Sequence, residues 1–156
     1  MNLNDKMSDH FRLYEMIRSE TASRKGIDNT PDVDLIPKFK FLCKEILEPI
    51  RAMAGKPIRP NSVYRCIELN RALGSKDTSQ HVKAEAVDVE VAGISNYDLA
   101  LWVKDNLIFD QLILECYQSG IPTSGWVHIS RVLDNDANRG QVLTYSNGRY
   151  INGLVA

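Results

Sequence analysis

The hydrophobic period changes once along this chain, at Gly55, and that change limits the fold more than any other feature. Before it, apolar residues recur at spacings of three and four. "DLIPKFKFLCKEILEPIRAMAG" places Ile36, Phe39, Leu42, Ile46, Ile50 and Met53 on one helical face. Asp34 is expected to cap this helix, Pro37 to fit its first turn and Gly55 to end it. Pro49, well inside, predicts a kink or break. Upstream, "HFRLYEMIRSETASRKG" carries Phe11, Tyr14, Met16 and Ile17 close to one face, with Gly26 as its stop.

After Gly55 the period of two takes over. "PIRPNSVYR" reads as a short strand leading into about two turns of helix, "CIELNRALG", and "GSKDTSQ" is a loop. "AVDVEV" alternates strictly, with Ala86, Asp88 and Glu90 on one face and three valines on the other. "SNYDLALWVKDNL" is an amphipathic helix, with Ser95 and Asp98 placed as in a capping box. "FDQLILECY" and "GWVHISRV" form an antiparallel strand pair across a Gly/Pro/Ser loop, and Asn147-Gly148 marks a final hairpin. Helices first and strands mostly later predict an α+β fold: an antiparallel β-sheet with helices packed on one side.

The length of 156 residues suits one domain, taken as 1–156. A net charge of −1 gives no support for a nucleic-acid partner. No apolar run reaches the ~18–20 residues that cross a bilayer, and the N-terminus lacks the pattern of a signal peptide. Synthesis in the cytoplasm is therefore expected. Cys43, Cys66 and Cys116 form no Cys-x-x-Cys motif and are expected as small buried apolar residues rather than a disulfide framework.

An aspartate inside a valine strand needs a reason, and so does a histidine in the polar loop before it. In "GWVHIS", Trp126, His128 and Ser130 share a face opposite Val127 and Ile129, so His128 faces a groove. If that strand neighbours the one bearing Asp88, the two converge, and His81 can fold back to complete a triangle. Two imidazoles and a carboxylate are an open-site zinc set, with one position left for water. Glu115 is the leading candidate for a general base and Glu90 the second. Arg65 is a candidate cation for a substrate carboxylate or an oxyanion. Ordinary roles stay open at this point: structural histidines, Asp88 paired with Lys83, Glu115 at a strand end, Arg65 paired with Glu68, and Trp126 as a core aromatic. His10, near the start of the first helix, is assigned such a role.

"SVYRCIELN", "SQHVKAEAVDV" and "GWVHIS" together resemble the zinc D-Ala-D-Ala carboxypeptidase and L-Ala-D-Glu endopeptidase family of bacteria and phages. "SETASRKGIDNTP", "ILEPIRAMAGKPI" and "FDQLILE" are similar to its phage-type, cell-wall lytic branch, so the likeness runs from about Phe11 to Ser130. The resemblance implies a hedgehog-like metallopeptidase fold and one zinc ion held by His81, Asp88 and His128. It implies substrate contacts from Arg65, Ser79 and Trp126. Two departures stand out. The family's usual glycine three residues after the first histidine is Ala84, expected to tighten the turn. The acid that many members carry three residues before the last histidine is Gly125, which moves the catalytic role to Glu115 at the end of the preceding strand.

The implied function is zinc-dependent hydrolysis of peptide bonds in the stem peptides of peptidoglycan. The protein would act as a monomer on the cell wall after release, or as part of a virion. The alternatives are a zinc-stabilised binding module that cuts nothing and a cytoplasmic D,D-dipeptidase. Loops such as "QSGIPTS" and "DNDANRG" are expected to decide which bond is cut.

Overall fold

The computed structural model describes residues 1–156. The first helical segment is two helices, α1 (Leu13–Ile17) and α2 (Glu20–Lys25), separated by an extended Arg18. Ser19 restarts the helix by accepting the Ala22 N–H, and Gly26 ends it with φ of 65°. The long segment begins with a 3-10 turn, Val33–Leu35, and continues as α3 (Ile36–Leu42) with Pro37 in its first turn. Asp34 lies within that 3-10 turn and caps nothing; Leu35 occupies the N-cap position of α3 without a side-chain bond.

Pro49 does not break this helix. The residues before it, Cys43–Leu47, widen into a π-turn in which the Glu48 N–H donates to the Cys43 carbonyl, and α4 (Glu48–Ala54) follows directly. Proline lacks an N–H and crowds the carbonyl four residues back, so a wider turn absorbs the conflict.

Residues 57–65 make no regular strand. Pro57 and Pro60 cannot donate, and one bridge, Ser62 to Asp88, is all that pairs. Helix α5 (Ile67–Ala72), capped by the Cys66 sulfur, and a run of turns lead to β1 (Ala86–Val89). Helix α6 (Asn96–Asn106) starts at Ser95, which accepts the Asp98 N–H while its hydroxyl donates to the Asp98 carboxylate at 2.7 Å. Strands β2 (Gln111–Glu115), β3 (Trp126–Ser130), β4 (Gln141–Ser146) and β5 (Arg149–Asn152) complete the molecule.

The sheet order is β1-β3-β2-β4-β5. The expected α+β class holds, with one difference: β4 runs parallel to β2, so the sheet is mixed. Strands β3 and β4 are consecutive yet flank β2 on opposite sides. The connection crosses under the start of β2, where buried Asp110 accepts from the Arg139 backbone and takes two side-chain bonds at 2.7–2.8 Å. The terminal hairpin has positive φ at Asn147 and Gly148, as its turn chemistry requires.

One sheet face is apolar. Val87, Val89, Leu112, Leu114, Val127 and Ile129 are buried with Leu99 and Val103 of α6 and with Phe39, Ile46 and Ile50 of the long helix. Of the cysteines, Cys43 is buried as expected; Cys66 is half-buried and Cys116 is exposed. The other sheet face carries the polar residues.

Candidate metal centre and cleft

Asp88 and His128 stand directly opposite each other on β1 and β3. Side chains of paired residues point to the same side of a sheet, so the alternation that buries the valines delivers both groups to the polar face. His81 comes from the turns before β1. Three short-range bonds close this turn: Val82 to Ser79, Lys83 to Gln80 and Ala84 to His81. It ends at Ala84 with φ of 55°, the left-handed conformation for which glycine is the default. Ala84 thus holds a backbone conformation that glycine would adopt freely.

The three side chains meet. His81 Nε2 lies 3.2 Å from Asp88 Oδ1 and 3.3 Å from His128 Nδ1, and His128 Nδ1 lies 2.9 Å from Asp88 Oδ1. All three residues are buried. Donors bound to one tetrahedral ion at about 2.0–2.1 Å stand roughly 3.3–3.4 Å apart, so two sides of this triangle are near that size and the His128–Asp88 side, at 2.9 Å, has only to open by about 0.4 Å.

The protonation states agree. Burial pushes His81 below the ordinary imidazole range, and its Nδ1–H donates to the Val63 carbonyl at 2.6 Å, leaving Nε2 as a lone-pair donor. Burial alone would raise the Asp88 carboxyl. The hydrogen bond from His128 Nδ1 at 2.9 Å opposes it, and the carboxyl is held below its ordinary range and ionised. Asp88 offers Oδ1 to the triangle while Oδ2 accepts from Arg65 Nη2 at 2.6 Å. Neutral imidazole with ionised carboxylate is the form that binds metal. The triad is poised for a metal ion.

The segment read from sequence as a strand, residues 57–65, is what fixes these ligands. Asp88 exchanges backbone bonds with Asn61 and Ser62, Val63 holds His81, and Arg65 holds Asp88 while its Nε donates to Ser62. Arg65 therefore pairs with a site residue and not with Glu68. Such outer partners orient metal ligands. Lys83 does not pair with Asp88; its carbonyl accepts from Lys38.

The triangle opens into a cleft of about 1310 Å³ that Arg65, Ser79, Glu115 and Trp126 also line. Ser79 Oγ accepts the His81 N–H at 3.3 Å. Glu115 is half-buried and has no hydrogen-bond partner; burial pushes its carboxyl up, with His128 and Arg65 opposing and Asp88 adding. Glu90 is elsewhere. It lies one residue past the end of β1, accepts from Asn61 and Asn96 at 2.7 and 3.2 Å, and does not line the cleft. His10 bonds Glu48 on the surface, far from this site in role.

Gly125 explains the missing acid. Its φ is +67°, and a Cβ there would lie 1.9 Å from the Glu115 carbonyl oxygen. No side chain fits at the position where many relatives carry the acid, because the main chain of Glu115–Tyr117 fills it.

Asn96, Tyr145 and Tyr150 were not singled out in the sequence. Buried Asn96 donates to the Ser124 and Gly125 carbonyls, both at 3.0 Å, and its backbone N–H to Pro122. It pins the loop that contains Gly125. Its only sequence signal is a position just after an N-cap serine, which says nothing of this role. Tyr145 and Tyr150 line the cleft from the terminal hairpin. Their pairing follows from the Asn147-Gly148 turn, but their place beside β2 does not.

A model of the family described as Peptidase M15 matches residues 9–130. The chain belongs to the peptidase M15 family. No curated protein sequence matches it. As an M15 member it is a metallopeptidase by family, and the His81–Asp88–His128 triad is where its metal would bind. The M15 match ends at Ser130, so β4 and β5 lie beyond it.

Proposed function

We propose that this protein is a zinc peptidase that hydrolyses the stem peptides of bacterial peptidoglycan, in the manner of the phage-type lytic branch. The observation that carries the reading is Glu115: a half-buried carboxylate without a partner, in the same cleft as the ligand triangle. A zinc ion held by His81, Asp88 and His128 supplies Lewis acidity, polarising a carbonyl and lowering the pKa of water toward ~7.

The chain's own residues do the rest. Glu115 takes a proton from the attacking water as its oxygen bonds to the scissile carbonyl carbon. Glu115 returns that proton to the amide nitrogen as the C–N bond breaks, and the second proton of the water passes from the new carboxyl group to the released amine, which leaves a carboxylate and an ammonium. Arg65 orients Asp88 and adds positive charge toward a substrate carboxylate or the developing oxyanion. Ser79 steadies the turn bearing His81, and Trp126 forms a wall of the cleft. One domain, acting as a monomer, carries all of this. No helix is long and apolar enough to cross a membrane, and we place the action on the cell wall after release or within a virion.

The test is mass spectrometry of purified peptidoglycan incubated with zinc-loaded protein, beside His81→Ala and Glu115→Gln. New stem fragments from the wild type alone, with zinc still bound by Glu115→Gln, are the expected result. An unchanged digest on several wall types, with zinc confirmed in the protein, would replace this reading with the binding module.

A further inference from the structure

The sheet face that bears the ligands continues past them. Strand register sets Trp126 opposite Glu115, Glu115 opposite Tyr145 and Tyr145 opposite Tyr150. One row across four strands thus reads indole, carboxylate, phenol, phenol. The neighbouring row holds Asp88, His128 and Ile113. Both rows line one cleft. The two tyrosine rings lie 4.7 Å apart between centroids with planes inclined at 48°. Tyr145 is half-buried and Tyr150 is 61% exposed.

Tyr150 adds nothing to the core. It lies on the edge strand, and with Tyr145 it offers the cleft a shallow, tilted aromatic surface. Burial and the nearby Glu115 and Tyr145 push its phenol up, so the hydroxyl stays protonated and able to donate. These strands lie outside the M15 match.

We propose that Tyr145 and Tyr150 form a ledge for a pyranose ring of the glycan strand. The proposal rests on the peptidoglycan reading above. Aromatic rings present a large, rigid apolar face with a polar tip, which suits the C–H face and hydroxyl rim of a sugar. The spacing agrees. Neighbouring strands are about 4.8 Å apart, and the tyrosine row lies two residues, roughly 7 Å, along the strands from His128, which puts Tyr145 roughly 12 Å and Tyr150 roughly 16 Å from it, backbone to backbone. A lactyl group and one amino acid, two chain units of at most about 3.6 Å each, span roughly 7 Å before the ring itself is counted. With the ring itself added, that span brings the bond after the first stem residue, L-Ala-D-Glu, to the metal centre.

The experiment compares two substrates: a disaccharide-linked stem peptide and the same peptide without sugar. For the zinc-loaded wild type, kcat/KM is expected to favour the sugar-linked form by roughly tenfold or more, and Tyr150→Ala to shrink that ratio roughly 3–10-fold, the scale of one aromatic contact. Tyr150→Trp is expected to keep the preference, since it keeps the stacking face. A ratio near one in the wild type, or a ratio unmoved by Tyr150→Ala, overturns the ledge. If the wild type cuts neither substrate, the peptidase reading fails, and the ledge is then decided by binding. Titration with N-acetylglucosaminyl-N-acetylmuramic acid should move the Tyr145 and Tyr150 ring NMR signals in the wild type, and unmoved signals overturn it. Circular dichroism of the variants separates loss of the ledge from loss of the hairpin.

Discussion

Glu115 and Gly125 compete for one place: a Cβ on Gly125 would sit 1.9 Å from the Glu115 carbonyl oxygen. The strand that presents the glutamate also occupies the volume where a side chain at position 125 would start. Position 125 therefore cannot present an acid while β2 ends as it does, and Glu115 is the carboxylate that β2 offers to the cleft. Buried Asn96 holds the arrangement by gripping the Gly125 carbonyl.

Restoring the acid at the usual position is expected to fail. Gly125→Glu combines positive φ with a collision against main chain, and it should cost at least about 3 kcal/mol of stability. In a Glu115→Gln background, Gly125→Glu should not recover turnover. Urea unfolding and peptide hydrolysis check the two halves, and a stable, active double variant would refute this account of the site.

Glu115 itself is destabilising in the metal-free protein at neutral pH. Its folded pKa is raised, chiefly by burial, so the folded state holds the proton more tightly than the unfolded chain. Stability therefore falls as pH rises from the ordinary carboxyl value through the folded one. Glu115→Gln should raise the melting temperature of the metal-free protein at pH 7 and leave it nearly unchanged near pH 4. The same variant should lower kcat by about 10²–10⁴-fold. Equal melting shifts at both pH values would remove ionisation as the cause.

Much of this site was legible because its ligands obey local rules. Asp88 and His128 could be placed on one face by counting residues in two alternating strands, and their opposition across β1 and β3 followed. His81 was legible by residue type and loop chemistry. The parallel pairing of β2 with β4 was not, since it depends on a tight crossing tied by Asp110 and Arg139, which no periodicity encodes. For the same reason the sequence showed a terminal hairpin at Asn147-Gly148 but not its place beside the cleft. Pro49 misled by its usual effect, because the π-turn before it let the helix continue. Residues 57–65 read as a short strand, but Pro57 and Pro60 leave them bridging the ligands.

Ala84 tests the turn that delivers His81. Relief of left-handed strain on changing to glycine gains about 1–2 kcal/mol, while the freer unfolded chain and the lost buried methyl cost about as much together. Ala84→Gly should thus alter stability by less than about 1 kcal/mol. Ala84→Val puts a β-branched residue at φ of 55° in a fully buried position. It should cost more than about 2 kcal/mol and weaken zinc binding with it. Calorimetric titration with zinc, alongside thermal melting, checks both; a benign valine would mean the turn is not held by this residue.

Asp110 ties down the connection that leads into the terminal hairpin. It accepts the Arg139 backbone N–H, two guanidinium bonds and Gln80 at 3.0 Å. The Arg139 hydrogen bond holds its carboxyl below the ordinary range. A depressed carboxyl pKa contributes stability that is present above the unfolded value near 4 and is lost as pH falls through the folded value. Arg139 is largely exposed, so Asp110→Ala should cost about 1–2 kcal/mol and not the full value of a buried pair. The loss should be local. Hydrogen exchange is expected to quicken in β4 and β5 and not in β1 or β3, and acid below pH 4 should do the same to the wild type. Uniform quickening across all five strands would show that the hairpin and the metal-bearing strands unfold as one unit, and the ledge of Tyr145 and Tyr150 could not then be loosened without loss of the metal centre.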